Sequence, residues 1–331
     1  MLASMKTGPY QERDNRDTAE KAGNAPGSSL ANILMNKIGV LFDLVARTPR
    51  AERVTREVFA HLDVAGYNYA LGRYRRDARK YPDRVILGTE TLPGEVARAW
   101  HLVRTVPSVI GDFVWTGWDY LGESGIGVWV PGKRFAPLLK PYPYLTAGPG
   151  MFDITGLPDA SVRLAQAAWG ELSAPAVAVR PLDRAGRSVA RVSWRSTDAV
   201  ESWSWRGCVG RTAEIEVYSA DEEVELILNG RPLGRRKPKG FIARYRTAYE
   251  AGILVAVGYR EGEQCGRTEL RTAGSNVALQ VVPESPRLAA DGASLAFLVV
   301  QIADVDGVVE MLADTEVTLA VDGPAILEAV R

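Results

Sequence analysis

The sequence predicts a chain of two characters, an α/β part built on a parallel sheet followed by an all-β part. Three observations predict it. Short apolar runs near Asp63, Val85 and Val109 alternate with stretches of helical periodicity, and a β-α-β-α-β order implies parallel strands. From Ala174 onward, apolar and polar residues alternate at period two, as in TAEIEVYS and EVELILNG. Turns in this second part are marked by Asn229-Gly230 and by Asp-Gly pairs at Asp291-Gly292, Asp306-Gly307 and Asp322-Gly323.

Composition narrows the classes of function. At 331 residues the chain has room for two or three domains. Forty Lys and Arg residues balance forty Asp and Glu residues, so charge favours neither nucleic acid nor an anionic membrane. Two cysteines, Cys208 and Cys265, exclude a disulfide scaffold and read as free thiols. Two histidines, His61 and His101, sit in helical patterns and leave little material for a His-based triad, and neither a metal site nor a cofactor is expected. No apolar run approaches the roughly 20 residues of a membrane span. The first 29 residues are polar, lack the apolar core of a signal peptide and are expected to be disordered.

The elements follow in order. Ile33, Leu34, Ile38, Leu41, Phe42 and Val45 give a helix over 30–47, and Val54, Val58 and Phe59 a second over 50–62. Residues 63–69 read as a buried strand, 73–81 as a basic helix ended by Pro82, and the run from Val85 as a strand leading into Gly88-Thr89-Glu90-Thr91. A helix over 95–106 separates this from a third strand over 109–115. Residues 122–149 form a long Gly- and Pro-rich loop, and loops of that length are usually functional. A helix over 158–169 closes the α/β part, which spans 30–171. Residues 172–275 read as an antiparallel β-sandwich. Residues 276–331 hold alternating strands but fall short of the roughly 100 residues that an immunoglobulin-like sandwich needs.

Glu90 has the best claim to chemistry. It ends a buried strand, flanked by threonines and not by a cation, and a carboxylate placed so must be used or hydrogen-bonded. Asn68 and Tyr69 end the preceding strand; Trp115, Trp118 and Asp119 follow the next. An indole can take the C–H face of a pyranose while amide and hydroxyl groups take its OH groups. Trp194, Trp203 and Trp205 form a second aromatic group, for which core packing is preferred over sugar stacking.

GYNYALGRY (66–74), RVILGTET (84–91) and IGDFVWTGWDYLGESGIG (110–127), in this order and spacing, closely resemble glycoside hydrolase family 2, the β-galactosidase and β-glucuronidase family. GLPDASVRLAQAAWG (156–170) and EVYSADEEVELILNG (216–230) resemble the end of that family's barrel and the β-sandwich that follows it. The resemblance implies the C-terminal part, strands six to eight, of a TIM (β/α)8 barrel followed by immunoglobulin-like β-sandwich domains. It also implies a retaining mechanism, with two carboxylates about 5–5.5 Å apart flanking the glycosidic bond of a terminal β-D-galactoside. In that pattern Glu90 matches the nucleophile and Trp115 the tryptophan beneath the sugar. Tyr69 matches the tyrosine that hydrogen-bonds the nucleophile, with Tyr67 its competitor, and Asn68 and Asp119 match sugar-hydroxyl contacts.

The departure from the pattern is as informative. The family's general acid/base is a glutamate preceded by asparagine on strand four, and this sequence contains no Asn-Glu dipeptide. Glu95 and Glu123 are not expected to replace it. Three strands cannot close a barrel, so the expectation is either a complementary N-terminal polypeptide or an inactive shortened product. A β-glucuronidase is the alternative substrate class, with Arg73 and Lys133 as the cations available for a sugar carboxylate. A non-catalytic carbohydrate-binding fragment is the other alternative.

Overall fold

A computed structural model describes residues 3–5 and 44–328. The expected disordered segment and the expected helix over 30–47 therefore lie mostly outside the described residues; Ala3–Met5 is a short strand paired antiparallel with Val317–Leu319.

The α/β part follows the predicted alternation. Helix α1 (Pro49–Ala60) begins where Thr48 accepts a hydrogen bond from the Ala51 amide at 3.3 Å and proline occupies its first position. Strand β1 (Val64–Asn68), helix α2 (Leu71–Lys80), strand β2 (Val85–Thr91), helix α3 (Val96–Thr105) and strand β3 (Val109–Val114) follow. The strands lie side by side in the order β1-β2-β3, all parallel. Their core forms where Ala65, Tyr67, Ile86 and Val109 meet Leu71 and Tyr74 of α2 and Ala99 and Leu102 of α3. Val64, Ile110 and Phe113 stay outside this core and are exposed. The register shifts between Tyr67 and Asn68 and again between Gly88 and Thr91. A slip of this kind re-aims side chains near a strand end, and here it falls on either side of Glu90.

The long loop is tied down in part by a two-residue pairing of Val130–Pro131 with Val189–Ala190. Helix α4 (Ser161–Trp169) packs on α3, where Trp100 and Trp169 meet edge to face at 6.3 Å.

The β-sandwich holds seven strands: β4 (Ala176–Val179), β5 (Thr212–Tyr218), β6 (Glu223–Leu228), β7 (Arg231–Arg236), β8 (Ile242–Ala248), β9 (Ile253–Arg260) and β10 (Glu263–Arg271). One sheet runs β8-β5-β4 and the other β7-β6-β9-β10, with every pairing antiparallel. Val177, Ile215, Val217, Val224, Leu226, Leu228 and Leu254 fill the space between them. Trp203 and Trp205 are 0 % and 1 % exposed in that core, which is the packing role preferred for them. The β6–β7 hairpin turns at Asn229 (φ 51°) and Gly230 (φ 76°), the pair of left-handed residues that a tight type I′ turn requires. Both cysteines are free, Cys208 buried and Cys265 exposed.

Beyond the sandwich, β11 (Val277–Pro283) and β12 (Leu298–Asp304) form an antiparallel pair with Leu279, Val281 and Leu298 exposed. The pair is joined to the sandwich by carboxylates. Asp304 accepts the Gly274 amide at 2.8 Å, and Glu310 accepts the Arg206 amide at 3.0 Å and the Ser204 hydroxyl at 3.2 Å.

Candidate functional site

The end of β2 is laced to both neighbouring strands by its threonines. Thr89 donates to Asn68 Oδ1 at 2.6 Å across β1. Thr91, fully buried, donates to Asp112 Oδ2 at 2.7 Å across β3, with the Phe113 carbonyl 3.2 Å away. Between them Glu90 is half-buried, and its carbonyl accepts the Tyr69 amide at 2.7 Å. Tyr69 takes the left-handed backbone conformation, φ 52°, which a bulky residue adopts only where the surroundings hold it. This turn sends its phenol back toward β2. Burial pushes the Tyr69 hydroxyl well above its ordinary range; a hydrogen bond with the Glu90 side chain and its negative charge push the same way, against the indole N–H of Trp194. Trp194 Nε1 lies 3.0 Å from Tyr69 Oη, with the two rings edge to face at 6.4 Å.

A second set of the same make-up stands at the end of β3. Trp115 and Tyr120 meet edge to face at 5.7 Å, and Tyr120 donates to Glu123 Oε2. The Tyr120 hydroxyl is pushed up to about 12, first by burial and then by Glu123, with a hydrogen bond from Trp115 opposing. The Trp115–Thr116 peptide is cis.

Behind Glu90 lies a buried polar knot. Burial raises the Asp112 carboxyl from its ordinary 3.8 to about 6, against the Thr91 hydrogen bond. Among the described residues, Asp112 Oδ1 and Tyr74 Oη are buried and have no hydrogen-bond partner. Both crowd Gly88, where a Cβ would run into Asp112 Oδ1 and come within 2.5 Å of Tyr74 Oη.

Residues 210–266, most of the β-sandwich, match a family described as a domain of unknown function, DUF4982. The chain is similar to the beta-galactosidase BoGH2A of Bacteroides ovatus, 24 % identical over 231 residues, which cover 69 % of this chain and 23 % of that protein. It is 30 % identical over 178 residues to a putative beta-glucuronidase of Formosa agariphila, covering 53 % of this chain and 14 % of that one. A crystal structure of a glycosyl hydrolase family 2 member from Bacteroides cellulosilyticus superposes with a TM-score of 0.65 at 31 % identity, over 78 % of this chain and 34 % of that one. Over part of its length, the chain is similar to members of glycoside hydrolase family 2. It spans 23 % and 14 % of the two curated relatives it matches.

Of the residues that the family 2 resemblance singled out, the structure brings Asn68, Tyr69, Glu90 and Trp115 to the C-terminal ends of three adjacent parallel strands. Of the two tyrosines left open, Tyr69 reaches Glu90. Tyr67 faces the helices and donates to Asp77 Oδ2 at 3.0 Å, beside Arg73 and Arg84. Asp119 stands apart: it is buried, and its Oδ1 accepts the Gly148 amide at 2.8 Å, holding the long loop to its own base. Arg73, expected to be available for a sugar carboxylate, is instead 4 % exposed and spent on Asp77 at 2.7 Å and Thr55 at 3.0 Å. A basic helix pattern could not distinguish its inward arginine from its outward ones. Lys133 is exposed on the loop. Glu95 precedes α3 and pairs with Arg98 at 3.1 Å.

Sequence reasoning missed Tyr120, the Asp112–Tyr74 pair and the placement of Trp194. The first lay within a quoted motif, where its position five residues after Trp115 was a usable signal. Trp194 is 125 residues from Tyr69 and carried none.

Proposed function

We propose that the chain supplies the nucleophile side of a retaining β-glycosidase acting on terminal β-D-galactosides. Glu90 attacks the anomeric carbon as the leaving group departs, giving a glycosyl ester that water then opens. Tyr69 donates to the carboxylate and orients it, Trp115 takes the apolar face of the sugar, and Asn68 contacts a sugar hydroxyl. Asp119 acts through the loop it anchors, without touching the sugar. The β1-β2-β3 sheet and its helices are the last three strands of a (β/α)8 barrel, which puts Glu90 at the face where barrel enzymes work. The general acid/base comes from residues outside these 331, on the same or on a complementary polypeptide, since the sequence holds no Asn-Glu pair and Glu123 is engaged by Tyr120.

The observation that carries this reading is Glu90 at the end of the central strand, its backbone carbonyl accepting the Tyr69 amide at 2.7 Å, with Asn68 and Trp115 at the ends of the strands on either side. A β-glucuronidase is the second reading, favoured by the likeness to a putative beta-glucuronidase. With Arg73 buried on the helix side, Lys133 is the remaining candidate cation of the pair considered. The test is covalent trapping with an activated 2-fluoro-galactoside and its 2-fluoro-glucuronide counterpart, each bearing a leaving group that departs without acid assistance. Mass spectrometry is expected to find the galactosyl label on Glu90 and none on the E90Q chain. A label on another residue removes the nucleophile assignment, and labelling by the glucuronide alone transfers the assignment to glucuronides.

A further inference from the structure

We propose that Trp194, carried by the segment that connects β4 to β5 of the β-sandwich, is a positioning residue for Tyr69 and through it for Glu90. The inference rests on Glu90 as nucleophile and adds a residue from outside the α/β part.

The chemistry of the two side chains sets the direction of the relay. An indole N–H can only donate, and a phenol has one hydrogen to give. With Trp194 Nε1 at 3.0 Å, Tyr69 Oη is the acceptor of that bond. Its own hydrogen is then left for a carboxylate, and the proposal gives it to Glu90, whose backbone carbonyl accepts the Tyr69 amide at 2.7 Å. Without the indole, the same hydroxyl can swing about its C–O bond and offer either its hydrogen or a lone pair. Trp194 therefore decides which way the phenol points.

Trp194 is itself held firmly. The next residue, Arg195, donates to the Thr197 carbonyl at 2.7 Å and to the Gly148 carbonyl at 3.2 Å, and pairs with Asp159 at 3.1 Å. These contacts tie the segment both to the long loop that Asp119 anchors and to the approach to α4. Tyr69 is fixed at its other end by its amide on the Glu90 carbonyl. The nucleophile's partner is thus held from β2 through its backbone and from the sandwich side through its hydroxyl. Trp115, Tyr120 and Glu123 bring the same three groups together, with the indole edge to face on the phenol at 5.7 Å and the phenol donating to the carboxylate.

Two readouts on the full chain test the proposal. In the first, the indole N–H signals of ¹⁵N-labelled chain are recorded by NMR, and the W194F chain identifies the Trp194 signal. Tyr69→Phe and Glu90→Gln are each expected to move it, and an unmoved signal in both overturns the relay. The second is the rate of covalent labelling of Glu90 by the activated 2-fluoro-galactoside as a function of concentration. Removing one neutral hydrogen bond is worth a few-fold to about tenfold, so W194F is expected to lower the limiting rate about threefold to tenfold with the half-saturating concentration unchanged. A W194F chain that labels at the wild-type rate, or one whose half-saturating concentration alone rises, overturns the positioning role. A wild-type chain that takes no label overturns the nucleophile assignment instead. The NMR result then stands on its own: a signal that moves in E90Q keeps the relay, and one that does not removes it.

Discussion

Replacing Asp112 by asparagine tests the polar knot behind Glu90 through its dependence on pH. Burial raises the Asp112 carboxyl from 3.8 to about 6 in the folded chain. The folded state therefore holds this proton more tightly than the unfolded one. Its contribution is fully present below about pH 4 and is lost as pH rises through 6. Each tenfold change in proton affinity is about 1.4 kcal/mol, so the move from 3.8 to about 6 amounts to about 3 kcal/mol withheld from the wild-type chain above pH 7. The amide of D112N would have nothing to ionise, would still accept from Thr91, and would offer an N–H toward the side that Tyr74 Oη shares. Urea unfolding of both chains, followed by fluorescence between pH 4 and pH 8, isolates the difference because all other titrating groups are common. D112N is expected to gain on the wild type by about 3 kcal/mol across that range, most of it between pH 4 and pH 6. A difference that stays within about 0.5 kcal/mol from pH 4 to pH 8 would refute the reasoning and place the carboxylate in an environment as polar as water.

Two further substitutions examine the two cores separately. Gly88→Ala drives a methyl group into Asp112 Oδ1 and Tyr74 Oη. The cost expected is at the upper end of the 1–3 kcal/mol typical of overpacking, read as a drop in urea midpoint, and it should be partly relieved by adding Asp112→Ala. Trp203→Ala empties a site with no solvent exposure against Tyr249, whose ring lies 4.9 Å away, and is expected to cost about 3–5 kcal/mol in a thermal or urea melt of the sandwich.

The alternation of strands and helices was legible because it is local. Apolar spacing places β1, α2, β2, α3 and β3 to within a few residues, and Asn229-Gly230 marks its hairpin by the backbone conformation that only such a pair adopts readily. What periodicity cannot carry is which distant side chains meet. Tyr69 and Trp194 come together only because the segment beyond β4 folds back over the strand ends. Asp119 shows the opposite failure. Its neighbours in sequence, Trp115 and Trp118, advertise a sugar site, yet the chain turns inward at Asp119 and uses it to close a loop. Glu216 belongs to the same class: period two in TAEIEVYS sends it to the face opposite Ile215 and Val217. That face is buried by Thr197 and Tyr218, whose hydroxyls each reach it at 2.7 Å.

The outermost strands of the two main sheets meet water in opposite ways. In the sandwich, β7 ends its sheet with Arg231, Pro232, Arg235 and Arg236 and a register slip between Pro232 and Gly234. Charge, proline and a bulge are the devices that keep an edge from recruiting another strand. The parallel sheet has no such finish: among the described residues β1 and β3 each pair on one side only, and β3 reads VIGDFV with Ile110 and Phe113 exposed. One end of the molecule is thus passivated and the other adhesive. Lysines placed at 110 and 113 would give β3 the charged finish that β7 already carries, with the sandwich untouched.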